Sequence, residues 1–565
     1  MKQKIIFTTL LIEKSPQAIP LGAACVASAV KNNLLTADLC EPELLIFNME
    51  DFCINDECFC FTKSKPKFKD EDFIADFIAK KILEKKPAIT GFSVFVWNSV
   101  ILQKVSVILR KNNVFTFAGG PEITSHPNFF SVFDKIVCGE GENKVPAVVY
   151  EFLCGRKVEN FAEYGLKFDA NPKNGGNKVL KESCFDSTDL MQSPYLDGTL
   201  NPSDYGGVLW ELARGCPFKC SYCYESKGEK SVRKFPIERI KKELDLFAKK
   251  RIPQVFVLDP TYNADKNRAL QLLKLIKQKT PETFYYFEAR AEFIDSELAK
   301  AFSEIHCSLQ IGLQTADENV AKLVNRPFNL KKFTKKISLL NKFGVIFGLD
   351  VIYGLPGDTF AGFKNTVNYA ISLYPNNLEI FCLSVLPGTL LFDEAEKLKL
   401  VFEQNPPYNI LHTDKFSKKD LIKAGKIAHG CNVFYNEGRA VPWFNTICRT
   451  LKEKPSVFFE KFCDFLDLSE NLNELNLKNH YNHKDIEILQ KKFVKEQLCQ
   501  KNLAKFYAVA QDLISFHGAI SRKTDTNESE IVELHYPAEY LDSEYAFDLD
   551  FFVKNVKIKP VRFRT

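Results

Sequence analysis

Short apolar strands alternate with helical stretches in two long blocks of this chain, and that alternation constrains the fold more than any other feature. In the first block, up to about residue 155, KIIFTT (4–9) reads as a strand and IPLGAACVASAVKNN (19–33) as a helix with a small-residue face. DLCEPELLIFNM (38–49) holds a second strand. Residues 70–86 place Phe73, Ile74, Phe77, Ile78 and Ile82 at helical spacing. AITGFSVFV (88–96), SVILQKVSVILRKNN (99–113) and VFTFAGG (114–120) continue as strand, helix and strand. Strands that alternate with helices run parallel, so this block predicts an open, doubly wound sheet, which binds ligands beyond the carboxyl ends of its strands.

The stretch 156–205, with NPKNGGNK at 171–178, reads as a linker. Alternation returns over 206–399 in longer units, with strands expected in GGVLWELARG (206–215), QVFVLD (254–259), FYYFEAR (284–290), CSLQIGLQ (307–314), VIFGLDVIYG (345–354) and NLEIFCLSVLP (377–387). Six strands with intervening helices predict a parallel βα sheet or partial (βα)6 barrel, whose sites collect at the strand carboxyl ends. Residues 400–565 are rich in Lys, Asn and Phe and read as mostly helical, notably at 417–436 and 483–498. The predicted class is therefore α/β, with a Rossmann-like N-terminal sheet over 1–155, a central barrel and a helical C-terminal extension.

Apolar residues make up 45% of the 565 and charged residues 26%, enough for a sizeable core and unlike a disordered or disulfide-stapled chain. Basic and acidic residues nearly balance, 76 against 71, which gives no clear nucleic-acid or anionic-membrane signal. No apolar run reaches the length of about eighteen residues that a membrane helix needs. The first residues, MKQKIIFTTLLIEKSPQ, carry Thr8 and Thr9 inside their apolar stretch and read as a strand rather than a signal peptide. With no secretory signal, the 17 cysteines point to a reducing cytoplasm, where thiols serve as metal ligands, catalytic groups or buried small hydrophobes.

The sharpest local signal is ARGCPFKCSYCYES, which sets Cys216, Cys220 and Cys223 in a C-x3-C-x2-C spacing directly after the first strand of the second block. Three thiolates on one tight loop can hold three irons of a cubane cluster and leave the fourth iron open to a substrate. Structural zinc is the bland alternative, but it needs a fourth Cys or His, and none lies nearby between Asp186 and His306. ECFCF, with Cys58 and Cys60 following Cys53, fits no metal spacing and reads as buried or loop thiols.

With this spacing after a barrel's first strand, the chain resembles the radical SAM superfamily. The resemblance extends over about 180 residues in the segments LDPTYN (258–263), FEAR (287–290), LQIGLQTADENVAKLVNRP (309–327), LDVIYGLPGDTFAGF (349–363) and VLPGTLL (385–391). It implies that Cys216, Cys220 and Cys223 bind a 4Fe-4S cluster and that Tyr222 packs by the adenine of S-adenosyl-L-methionine (SAM). Asp259 stands where the family carries a GGE-like segment near the methionine amine. Glu288 and Arg290, two residues apart on one strand face, suit the ribose or the methionine carboxylate, and the motif around Gln314 marks a further ligand position. A surface ion pair and a satisfied strand-end amide are the ordinary readings of those three residues taken singly.

IPLGAACVASAV, GFSVFVWNS, FAGGPEITSHP and VCGEGENKVP resemble the cobalamin-binding domain that precedes many radical SAM modules. That resemblance implies a cobalamin site in which Gly119 and Gly120 permit close backbone approach and Ser93 hydrogen-bonds the nucleotide tail. The D-x-H-x-x-G motif that supplies a lower cobalt ligand is absent; the domain's one histidine is His126, before Pro127. A sheet kept only for packing is the alternative. In the C-terminal region Trp443, within GRAVPWF (438–444), is a candidate to reach the active site, with burial in the core as its ordinary reading, and the basic end FVKNVKIKPVRFRT (552–565) reads as solvated or as a contact for an acidic partner.

The implied protein is a cytoplasmic radical SAM enzyme that generates a 5′-deoxyadenosyl radical for hydrogen abstraction from an unidentified small-molecule or macromolecular substrate. A flavodoxin or ferredoxin is the expected electron donor. Bound cobalamin makes carbon methylation the natural product; without it the same radical drives rearrangement or oxidation. The rival is a non-catalytic cobalamin- or metal-binding module.

Overall fold

The structure is a computed structural model that describes residues 2–53, 69–155, 179–180, 188, 191–226, 232–471 and 482–565. Cys58, Cys60 and the NPKNGGNK stretch lie outside the described residues.

Six parallel strands form the first sheet: β1 (Gln3–Leu11), β2 (Cys40–Asn48), β3 (Ile89–Ser93), β4 (Phe115–Gly119), β5 (Lys135–Val137) and β6 (Val179–Leu180), in the order β2-β1-β3-β4-β5-β6. The chain crosses from β2 over β1 to β3, so the strand order reverses between β1 and β3 and opens a crevice at their carboxyl ends. Helices α1 (Leu21–Asn32), α2 (Glu71–Glu84), α3 (Ser99–Lys111), α4 (Pro121–Ser125) and α5 (Val145–Cys154) follow or flank these strands. The helix expected in 70–86 forms, with Ile74, Ile78 and Ile82 buried, while Phe73 and Phe77 are exposed. The central strand β1 is buried from Ile5 to Leu11, as expected of a strand covered on both faces.

Two departures from the expected linker are clear. Val179–Leu180 pairs with β5 as the sixth strand, and Met191, Tyr195 and Leu200 are buried in the second core, where Tyr195 meets Phe247 edge-on at 5.6 Å. Polar loop composition hid both, because a two-residue strand has no readable period and three anchors in a turn-rich segment have none either.

The second sheet is also parallel, in the order β14-β13-β12-β11-β10-β7, with β7 (Val208–Trp210), β10 (Gln254–Val257), β11 (Phe284–Ala289), β12 (Cys307–Gln314), β13 (Ile346–Tyr353) and β14 (Asn377–Cys382). Between β7 and β10 a short antiparallel pair forms, β8 (Ala213–Arg214) with β9 (Arg233–Lys234). Alternation along β11 and β12 sets the two faces: Tyr285, Phe287, Leu309 and Ile311 are buried, while Tyr286, Gln310 and Gln314 are only half-buried on the opposite face and Glu288 is exposed there.

The C-terminal region is mainly helical, with long helices at Lys418–Cys431, Pro455–Asn471, His483–Gln500 and Tyr507–Thr526. The basic end is not a loose tail: Val561–Arg564 pairs antiparallel with Ile531–Leu534, and Phe552 is fully buried. Trp443 is 2% exposed and packs edge-on against Phe434 at 5.7 Å. It lines a cavity of about 770 Å³ together with Gly344, Ile346 and Asn376, at the amino ends of β13 and β14. That is the end of the sheet opposite the cysteine loop, so Trp443 is core and does not reach the candidate site. Among the described residues no helix is long and apolar enough to cross a membrane.

Candidate active site

β7 runs into β8, and Gly215 then turns the chain into the cysteine loop. Within the loop the Cys223 amide donates to the Cys220 carbonyl at 3.1 Å, closing a turn. The loop is tied across the strand ends: the Ser221 amide donates to the Val324 carbonyl at 3.0 Å, and the Leu391 amide donates to the Ser221 carbonyl at 2.8 Å. Cys220 is buried, and Cys216 and Cys223 are half-buried. Burial, with the neighbouring Cys220, Glu225 and Cys216, pushes the Cys223 thiol up to about 11. Among the described residues no three His, Cys, Asp or Glu side chains converge as a ready-made metal cage.

Around the loop stands a shell of polar groups from the neighbouring strands. Arg326, after β12, directs Nη1 toward Cys220 Sγ at 3.8 Å and donates from Nη2 to the Gly312 carbonyl. Burial, with the neighbouring Cys220 and Cys223, raises the Tyr222 phenol against the pull of the Arg326 cation. Arg290, at the end of β11, lays its guanidinium over the Phe218 ring at 3.8 Å and donates to Glu292 at 2.7 Å. Ser221 Oγ, Arg290 Nε and Gln314 Oε1 are buried without a partner. Buried polar atoms are otherwise satisfied as a rule, so three orphans beside one thiol loop mark a place for a polar ligand.

Glu288 opens onto the half-exposed face of the sheet. Lost hydration, then the charges of Asp350 and Glu225, raise its carboxyl to about 7, although solvent on the open side works against that rise. Asp350 on β13 accepts from Gln310 Nε2 at 2.5 Å and is raised to about 6, chiefly by burial. This face therefore carries carboxyls able to hold a proton near neutrality.

Asp259 is placed differently from expectation. It is 7% exposed, and its Oδ1 accepts from the Leu212 and Ala213 amides at 2.9 Å each. It holds the backbone leading into the cysteine loop rather than presenting that oxygen to a ligand.

In the first sheet, Ser93 and Gly119 are register partners at the ends of β3 and β4. A Cβ on Gly22 of α1 would lie 3.9 Å from Ser93 Oγ, so the strand ends meet the first turn of α1. Gly120 takes φ +111, and a Cβ there would lie 2.5 Å from the Val94 carbonyl oxygen. Its missing side chain thus serves the chain's own backbone first. His126, just after α4, has ring contacts with Phe129, Phe392 and Tyr408.

Residues 210–370 match the family described as the radical SAM superfamily. The chain contains a radical SAM domain, the module of an enzyme. Residues 396–535 match a family described as a protein of unknown function (DUF4080). The chain is 25% identical over 353 residues to "Uncharacterized methyltransferase PH0819" of Pyrococcus horikoshii, covering 59% of this chain and 75% of that protein. It is 24% identical over 407 residues to "Cobalamin-dependent radical SAM methyltransferase TokK" of Streptomyces tokunonensis, covering 62% of this chain and 58% of that one. The fold is similar to the solved "Cobalamin-dependent S-adenosylmethionine radical enzyme OxsB with aqua-cobalamin bound", with a TM-score of 0.55 at 13% identity over 89% of this chain and 81% of that one.

In the radical SAM domain Cys216, Cys220, Tyr222 and Cys223 share one loop, Arg290 stacks on Phe218 of that loop, Gln314 ends β12, and Glu288 lies on the exposed face of β11. The domain's donor set fits an iron–sulfur cluster and SAM: three cysteines on one loop, and orphaned polar atoms in and around it. Reasoning from sequence passed over Arg326 and Asp350, although both lay inside the quoted segments. The step from Gln314 to Arg326 spans a helix, Glu318–Leu323, so no short spacing announces that both side chains flank Gly312.

Proposed function

We propose that this radical SAM domain binds a 4Fe-4S cluster through Cys216, Cys220 and Cys223 and SAM beside it, and that the N-terminal sheet binds cobalamin for methyl transfer to carbon. One observation carries the reading: a loop carrying three cysteines, with three orphaned polar atoms in and around it, lies at the carboxyl ends of a parallel sheet, beside the strand ends of a second. When bound, the cluster and SAM supply one-electron cleavage of a sulfonium, and cobalamin supplies a transferable methyl group.

The chain's own residues have separable tasks. The three cysteines hold metal, and the Arg326 guanidinium stands beside Cys220. Arg290 and Gln314 offer the unpaired donor and acceptor that fix a zwitterionic ligand, while Phe218 holds the Arg290 plane in place. Tyr222 supplies an aromatic wall. Glu288 and Asp350 can hold or release a proton on the face where a substrate lies. Ser93 offers a hydroxyl at the first sheet's strand ends, whereas the Gly119 carbonyl already accepts from the Val94 amide at 2.8 Å. The names of TokK and the OxsB structure support cobalamin as the second cofactor.

Gly120, spent on the Val94 backbone, and the missing D-x-H-x-x-G motif favour a second reading: a radical SAM enzyme that carries out rearrangement or oxidation without cobalamin. The substrate class is left open in both. A flavodoxin or ferredoxin as electron donor, and a reducing compartment such as the cytoplasm, belong to the same proposal.

The test is anaerobic purification of the full chain with cobalamin available, followed by assay of iron, sulfide, cobalamin and reductant-dependent conversion of SAM to 5′-deoxyadenosine. Iron, turnover and cobalamin together support methyl transfer, and iron and turnover alone support the second reading. The Cys216→Ser/Cys220→Ser/Cys223→Ser variant should lose iron and turnover together; turnover that survives it overturns the assignment.

A further inference from the structure

The cysteine loop leaves and re-enters the barrel through β8 and β9, where Arg214 and Arg233 stand directly opposite each other in antiparallel register. Like charges facing across a strand pair repel. Both guanidiniums are mostly buried, so water screens them little.

Their counter-charges come largely from the other domain. Glu140, in the turn after β5, meets Arg233 with both oxygens, Oε1 to Nη2 at 2.6 Å and Oε2 to Nη1 at 3.0 Å. The same Oε1 lies 3.3 Å from Arg214 Nη1. Glu142 takes Arg214 Nη2 at 2.6 Å, and Glu211 of the barrel takes Arg214 Nε at 2.8 Å. One carboxylate therefore touches both arginines across the neck of the loop. Bidentate pairing fixes direction as well as charge.

We propose that Glu140 is a positioning residue that closes the neck of the cysteine loop from the N-terminal domain, so that the loop's conformation depends on that domain's strand-end turn. Its effect on metal binding rests on the cluster assignment above; its effect on the neck does not. Glu142 assists by holding Arg214 alone. Neither glutamate touches the cysteines, so both act through the arginines that flank them.

Hydrogen–deuterium exchange on the full chain tests this without any cofactor. In Glu140→Gln, which keeps the side chain's size, amides of the neck such as Phe235, which donates to the Leu212 carbonyl, should exchange at least about tenfold faster, while those of β1 stay unchanged. Adding Arg233→Gln removes the opposing like charge and should restore protection. A residue that merely glued the domains together would instead lose more protection in the double variant, and that result, or unchanged exchange in Glu140→Gln, overturns the proposal. Reconstituted Glu140→Gln should also retain severalfold less iron than wild type. Faster neck exchange in a chain whose wild type takes up no iron supports the neck role and counts against the cluster assignment alone.

Discussion

Asp259 offers the most demanding check on how the cysteine loop is held. Its Oδ1 is the acceptor for two buried amides, Leu212 and Ala213, immediately before Arg214. Asp259→Ala leaves both donors unpaired, at about 1–3 kcal/mol each, so the barrel should lose roughly 2–6 kcal/mol. Asp259→Asn keeps an oxygen in place. It also removes a cost, because burial lifts the carboxyl from 3.8 to about 7, against the lowering influence of the two amides and Arg268.

The sign follows from proton binding. Between the unfolded and folded values the native state holds a proton that the unfolded chain has lost, so stability falls as pH rises through that window. From about pH 5 to about pH 8 the loss amounts to about 3 kcal/mol. Urea unfolding followed by tryptophan fluorescence, with Trp210 on β7 as reporter, should show Asp259→Asn gaining on wild type by about that amount over the interval. The difference between the two proteins cancels the titration of Glu288, Asp350 and Asp358, which also move in this range. A constant difference, or equal losses in the Asn and Ala variants, would refute the structural role. Loss of SAM affinity in Asp259→Asn without the stability gain would return Asp259 to the ligand-binding role expected from sequence.

Other outcomes follow from the same geometry. Glu288→Gln should flatten the inflection near pH 7 that the wild-type carboxyl imposes on SAM cleavage, read as 5′-deoxyadenosine yield from about pH 6 to about pH 8.5. Gly120→Ala forces a Cβ to within 2.5 Å of the Val94 carbonyl oxygen at φ +111, and should cost at least about 2 kcal/mol in thermal unfolding. An unchanged transition would mean that this turn is placed wrongly. Tyr408→Phe removes the 2.6 Å hydrogen bond to the buried Glu122 carboxylate and should destabilise the chain by about 1–3 kcal/mol, measured by denaturant titration.

Where one side chain's periodicity decided its fate, the sequence was readable. Both parallel sheets follow from apolar runs broken by helical spacing, and the run expected at 307–314 coincides with β12. Glu288 lies on the exposed face of β11 that strand alternation predicts, and Gln314 ends its strand as its motif implies. Three-residue β5 and two-residue β6 escaped because neither is long enough to show a period. Asp259 escaped for a different reason: its neighbours in sequence resemble a ligand segment, but its burial against two backbone amides is decided by β7 packing beside β10. Trp443 likewise had two readings until Phe434 closed over it.

The contacts between the two sheets could not have been read at all, since their partners lie far apart in sequence and carry no local pattern. They nonetheless share an origin. Glu122 and Pro121, which meet Tyr408 and Tyr224, belong to α4 just after β4; Glu140 and Glu142, which meet Arg214 and Arg233, belong to the turn just after β5. Every one of these contacts therefore arises from the segments that leave the first sheet's strand ends, the place where a doubly wound sheet takes its ligand. A ligand seated there must press on or order those segments, and two of them meet residues flanking the cysteine loop, Pro121 through Tyr224 and Glu140 through Arg214 and Arg233. Coupling of this kind is reciprocal in free energy. If cobalamin binds the first sheet, its affinity should therefore change when iron occupies the loop, and Glu140→Gln should weaken that dependence while leaving the crevice between β1 and β3 intact.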